Sequence, residues 1–168
     1  MTGYLLDTNV FIEAKNRHYG FDFCPAFWDW LVEKNRAGKV ASIEKVAEEL
    51  NKGEDDLTGW AEARGDGFFL TPDDAVVSKL RTVSDWVSVN GYQPGAVATF
   101  LQTADCWLVA HALAHNCTVV THEVHANTTQ TIKIPNACDN FSIHCVNPFE
   151  MLRREQARFV LGSGREVT

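Results

Sequence analysis

Apolar residues along the chain fall into two rhythms. Short runs with little polar alternation lie at Gly3 to Asp7, Lys39 to Ala41, Phe68 to Leu70, Thr118 to Thr121 and Ile143 to Val146. Such runs suit strands buried on both faces, as in a parallel sheet. Between them, apolar positions recur three and four residues apart, the helical period. Helices are predicted at about Asn9 to Lys15, Pro25 to Ala37, Ile43 to Lys52, Asp55 to Ala63, Thr71 to Val89 and Thr103 to His115, with a last one opening at Pro148. Strands that alternate with helices predict an α/β fold built on a parallel sheet.

Punctuation residues set the boundaries. Phe27, Trp30 and Leu31 stand at core-facing spacing in the second helix, which Gly38 stops. Ser42 reads as the N-cap of the next helix and Gly53 as its end. Pro72 sits in the first turn of the long helix. Asn90-Gly91-Tyr92 and Pro94-Gly95 read as breaks, and the stretch from Asn127 to Thr131 as a loop. No internal repeat is visible. One domain is expected over residues 1–158, followed by a mobile tail over 159–168.

Composition narrows the class. With 168 residues, 45% hydrophobic and 22% charged, the chain can bury a sizeable core. No apolar run approaches the ~20 residues of a membrane span, and no signal-peptide pattern opens the chain. Cys24, Cys106, Cys117, Cys138 and Cys145 form no CxxC pair, which suits buried thiols in a reducing cytoplasm. The net charge of -7 argues against broad electrostatic binding of nucleic acid but leaves room for a local groove.

Four acids stand out by position. Asp7 ends the first strand, at the edge where open α/β sheets place their ligands, and could equally be a helix N-cap. In the helix from Ile43, the apolar stripe of Ile43, Val46, Ala47 and Leu50 puts Glu49 on one flank and Glu44 on the other, with Glu48 turned away. Asp105 lies in the first turn of a helix that is apolar nearly all round. Its partner is either that helix N-terminus or a bound cation. Glu123 leaves the end of the fourth strand as Asp7 leaves the first. Four converging carboxylates need a hard divalent cation, and oxygen-only ligation points to Mg²⁺ or Mn²⁺, ions that support phosphate-ester hydrolysis.

Other residues carry weaker signals. Thr8, Asn9 and Thr121 could hydrogen-bond water around such an ion, or simply cap the helix and end the strand. Lys15 and Arg17, with His18 and the aromatics Tyr19, Phe21 and Phe23, could grip single-stranded RNA or form a solvated turn. His111 and His115 have zinc-site spacing without the glutamate of HExxH. His122 and His125 flank Glu123 as loop residues or substrate contacts.

These motifs together resemble those of PIN domains. YLLDTNVFIEA, from Tyr4 to Ala14, resembles the family's opening motif, an aspartate ending the first strand. EELNKG resembles the acid-Leu-x-x-Gly motif and maps its acid onto Glu49. ADCWLVAHAL resembles Asp-x-x-Leu-x-Ala-x-Ala and maps onto Asp105. VVTHE stands where the family has Thr-x-Asp, with Glu123 in place of the aspartate and no distal Asp-Phe. The resemblance runs from about residue 3 to 153 and is strongest to a bacterial subgroup of unknown function carrying FDFCPAFWDWL and IKIP segments. It implies a three-layer α/β/α sandwich around a mainly parallel sheet of about five strands. It also implies an Mg²⁺- or Mn²⁺-dependent endoribonuclease, often the toxin beside a DNA-binding antitoxin, and a possible homodimer. Asp7, Glu49, Asp105 and Glu123 would be its catalytic and metal acids. A catalytically weak interaction module and a metal-dependent phosphatase are the competing expectations.

Overall fold

A computed structural model describes residues 3–162. Strands β1 (Tyr4–Leu6), β2 (Val40–Ile43), β3 (Phe69–Leu70), β4 (Thr118–Val120) and β5 (Cys145–Val146) form one sheet in the order β3-β2-β1-β4-β5. Every pairing is parallel. Consecutive strand residues point to opposite faces, yet Leu5 and Leu6 are both buried, as are Val119 and Val120. Helices therefore cover the sheet on both sides, giving the expected three-layer α/β arrangement. The chain moves outward from β1 through β2 to β3, then returns to add β4 and β5 on the other side. This reversal puts a topological switch point between β1 and β4, where such folds form a crevice.

Helices α1 (Thr8–Glu13), α2 (Pro25–Arg36), α3 (Glu44–Leu50) and α4 (Asp56–Glu62) belong to the first half of the chain. Helices α5 (Asp74–Val89), α6 (Pro94–Gln102) and α7 (Ala104–His115) precede β4, with α8 (Ile134–Asn140) and α9 (Pro148–Arg154) around β5. α1 continues into a wider π turn over Ala14–His18, closed by the Tyr19 amide donating to the Ala14 carbonyl at 2.7 Å. α7 is the helix most enclosed by protein, packed on α5, α6, β2 and β4. No single described helix is long and apolar enough to cross a membrane.

The structure corrects the sequence expectations in four places. Ser42 does not cap α3. It is a buried residue of β2, and its hydroxyl donates to the Leu6 carbonyl at 2.6 Å. Pro94 opens α6 instead of breaking the chain, because proline is preorganised for a first helical turn. α8 was not anticipated, since its seven residues are too few for a clear helical period. In α2 it is Trp28, not Trp30, that enters the core.

An aromatic cluster explains that register. Trp28 stacks on Phe21 at 4.1 Å, meets Trp60 edge-on at 5.0 Å, and donates its indole N–H to the Tyr19 carbonyl at 2.7 Å. Trp30 is only half-buried, with the Lys34 ammonium over its ring. Residues 163–168 of the expected tail lie outside the described residues, while Phe159 packs edge-on against Tyr19 and Phe27. Trp28→Ala is expected to cost ~3–5 kcal/mol in urea denaturation, as large core truncations do. Trp30→Ala is expected to cost about 1 kcal/mol or less; equal losses would contradict this register.

Candidate active site

Asp7 leaves β1 at the switch point and is almost fully buried. One carboxylate oxygen accepts from the Thr8 amide at 2.7 Å, capping α1, and the other accepts from the Thr121 hydroxyl at 2.7 Å. That hydroxyl also accepts from the Asn9 side-chain amide at 3.1 Å and from the Glu123 amide at 3.0 Å. One donor and two acceptor sites are thus filled, the full capacity of a hydroxyl. Asn9 completes the junction by accepting from the His122 amide at 3.1 Å. The end of β1 is pinned to the end of β4.

Of the two glutamates, Glu49 comes from the last turn of α3 and Glu123 from the segment after β4. Glu49 is half-buried and accepts from the Thr8 hydroxyl at 2.5 Å and from the Ala104 amide, the first of α7, at 3.0 Å. Glu48, one residue away, is exposed and pairs with Lys45 at 2.9 Å. Glu44 sits in the first turn of α3. Glu123 accepts from the Ile134 amide at 2.8 Å, and Lys133 lies 3.4 Å from its other oxygen. Glu49 and Glu123 therefore supply the N-terminal hydrogen bonds that Thr103 and Lys133, the cap residues of α7 and α8, do not. Lys133 is a residue that the acid-centred reading missed. Its only sequence signal was its place in the IKIP segment.

Asp105 differs from the other three. It enters the crevice from the first turn of α7, and among the described residues no hydrogen-bond donor holds its carboxylate. Burial, then the charges of Asp7, Glu123 and Glu49, push its pKa up to about 7, with Lys133 opposing. Burial likewise leads the rise of Asp7 to about 6, opposed by the Thr121 and Thr8 hydrogen bonds and reinforced by Glu123 and Glu49. The charges of Asp7, Glu123 and Glu49 all bear on Asp105, so the four acids lie near one another at the switch point.

The donors fit a hard divalent cation in kind, all being carboxylate oxygens around a half-buried acid with no protein partner. As placed, no three His, Cys, Asp or Glu side chains among the described residues stand close enough to enclose an ion. The glutamates instead accept hydrogen bonds from the Thr8 hydroxyl and from the Ala104 and Ile134 amides.

The remaining candidates lie elsewhere or are already paired. Lys15 bonds Asp55 at 2.7 Å and Arg17 lies 3.3 Å from Glu13, so the basic turn is charge-matched within the chain. His111 is buried, with its pKa lowered to about 4 chiefly by desolvation, and His115 contacts Asp73 at 2.9 Å. The cysteines are all free, but only Cys106 and Cys138 are buried; Cys24, Cys117 and Cys145 are half-buried, against the expectation of buried thiols.

A family model described as Domain of unknown function (DUF4411) matches residues 4–159. The chain belongs to that family. No curated protein matches it. Among solved structures, a chain of the crystal structure of VapBC2 from Rickettsia felis bound to a DNA fragment from their promoter superposes with a TM-score of 0.52. The two are 16% identical, and the match covers 86% of this chain and 97% of that one. At that identity the likeness speaks for the fold, and the DUF4411 chain has the PIN-like α/β fold that its motifs resemble.

Two expectations follow for the metal-free protein. Thr121→Val removes the donor to a buried carboxylate and should cost ~1–3 kcal/mol in urea denaturation, whereas Thr121→Ser should cost much less. Asp105 and Asp7 keep their protons to about pH 7 and 6 when folded, against 3.8 for an unperturbed aspartate carboxyl. The folded state then binds more protons than the unfolded one between about pH 4 and 7, so this pair makes stability fall as pH rises through that window. Asp105→Asn should make the fall shallower; an unchanged slope would contradict the assignment.

Proposed function

We propose that the chain is a metal-dependent endoribonuclease and the toxin of a toxin–antitoxin pair, working in the cytoplasm. The observation that carries this reading is Asp105, a half-buried carboxylate that no donor holds among the described residues and that lies near three others at the switch point of a parallel sheet. The PIN-like motifs, in order along the chain, support it. So does the fold likeness to VapBC2.

Asp7 and Asp105 would hold Mg²⁺ or Mn²⁺ together with Glu49, and with Glu123 once it leaves Ile134 and Lys133. When bound, the cation supplies charge neutralisation and Lewis-acid activation of water and phosphoryl oxygen. The chain's own residues do the positioning. Thr121 and Asn9 fix Asp7 against β4, and Thr8 fixes Glu49 against α1. Lys133 sets a positive charge beside the acids, where it would reduce their repulsion of an RNA phosphate. Lys15 and Arg17 would contact RNA only by giving up Asp55 and Glu13. The proposed partner is a DNA-binding antitoxin encoded nearby, offering a basic side chain to the acidic crevice as a charge-assisted pair. Homodimerisation is part of the same family-level proposal.

One specific observation favours a second reading, a catalytically weak interaction module: the glutamates cap helices, and among the described residues no ion-sized group of donors is closed. RNA cleavage separates the two. Wild-type protein is expected to cleave single-stranded RNA with Mn²⁺ or Mg²⁺, to stop in EDTA, and to spare small phosphate esters. Asp7→Asn and Glu49→Gln should each lower the rate by about a hundredfold or more, while Glu48→Gln stays within about twofold. Cleavage that persists in EDTA sinks the metal mechanism. A silent Glu49→Gln beside an inactive Glu48→Gln overturns the assignment on α3.

A further inference from the structure

Next to the acids lies a cavity of about 610 Å³ that the metal reading leaves unused. Thr121 and Glu123 line it on the side of the acids, and His122, His125, Asp139, Asn147, Phe149 and Glu150 are among its other lining residues. Its size falls within the ~300–1,000 Å³ of small-ligand pockets. An aromatic trio stands here. The rings of His122 and Phe149 lie 5.8 Å apart, and His18 packs behind both, at 5.5 Å from His122 and 5.1 Å from Phe149. The π turn after α1 is what carries His18 there. Asn9 fixes the His122 backbone by accepting its amide, so the trio is tied to the same junction that holds Asp7.

We propose that this cavity is a nucleobase subsite for the RNA nucleotide beside the scissile phosphate, which rests on the ribonuclease reading above. Phe149 and His122 supply the stacking surface, the sequence-tolerant way in which proteins hold unpaired bases. A phosphate does not suit the cavity. No lysine or arginine lines it among the described residues, whereas Glu123, Asp139 and Glu150 do. Two of these carboxylates are charge-matched within the chain, Glu150 by Arg154 and Glu123 by Lys133, and Asp139 hydrogen-bonds the His125 ring. The cavity therefore presents acceptor oxygens whose charge is answered in large part from within the chain. Acceptors of this kind receive the amino groups of cytosine, adenine or guanine. Uracil meets them with carbonyl oxygens on either side of its N3–H, so it fits less well. The Asn147 side-chain oxygen caps α9 through the Glu150 amide at 2.8 Å, which leaves its NH₂ free to donate to a base carbonyl or ring nitrogen.

Two measurements test the subsite. In the first, Asp7→Asn protein is titrated into a single-stranded RNA oligomer carrying a 2-aminopurine. Stacking should quench the fluorescence, and adding Phe149→Ala or His122→Ala should remove most of the quench, with melting temperatures recorded alongside. Equal quenching in the single and both double variants, or none in Asp7→Asn, overturns the subsite; should one double variant fail to fold, the other decides. In the second, wild-type kcat/KM is compared on RNAs whose nucleotide beside the cut is cytidine, uridine or abasic. The abasic RNA should be cleaved about tenfold more slowly than the cytidine one, with uridine between them. Cleavage indifferent to an abasic residue at every position overturns the subsite while leaving the ribonuclease reading intact. Quenching with no cleavage by the wild type supports a base-binding cavity and overturns the ribonuclease reading.

Discussion

The hydrogen bond from Thr121 to Asp7 joins the two halves of the molecule at the point where its chemistry is concentrated. A carboxylate buried at the end of a central strand is costly unless its oxygens are held, and here one oxygen caps α1 while the other meets β4. The same hydroxyl holds the Asn9 amide and turns the chain after β4 into Glu123. Parallel pairing of β1 with β4 puts both strand ends on the same edge, so this contact is a direct consequence of topology. Without it, Asp7 would have only the Thr8 amide to set against burial and the charges of Glu123 and Glu49.

Helix starts supply the rest of the compensation. Asp7 caps α1, Glu49 reaches the first amide of α7, Glu123 the first amide of α8, and Asp105 rides in the first turn of α7. Orphan amides and the positive ends of helix dipoles therefore gather around the carboxylates. That compensation is incomplete. The raised pKa values of Asp7 and Asp105, both led by burial, record what it leaves over. On the proposed reading, the residual negative charge and a carboxylate without a donor among the described residues would draw in a cation, whether a metal ion or the side chain of a partner protein.

Much of this was legible in the sequence because it follows from periodicity. The unalternating runs at Leu5-Leu6 and Val119-Val120 gave a two-sided sheet, and the apolar stripe of α3 separated Glu49 from Glu48. What was not legible depended on contacts between distant segments. Ser42 looked like a cap until its hydroxyl met the Leu6 carbonyl across the sheet. Trp28 displaced Trp30 because Phe21, Trp60 and the Tyr19 carbonyl wait on its side of α2. Lys133 and the cavity beside Phe149 depend on how the segment after β4 folds back toward β5, which no local pattern specifies.

The central claim is that this crevice takes up a divalent cation through Asp105. Titration of Mn²⁺ into the purified protein, followed by the loss of free-ion electron paramagnetic resonance signal, tests it without any substrate. Saturable uptake by the wild type, with affinity at least tenfold weaker in Asp105→Asn at the same pH, is the result predicted for a carboxylate ligand lost. Uptake that is absent from the wild type, or unchanged in Asp105→Asn, would contradict it.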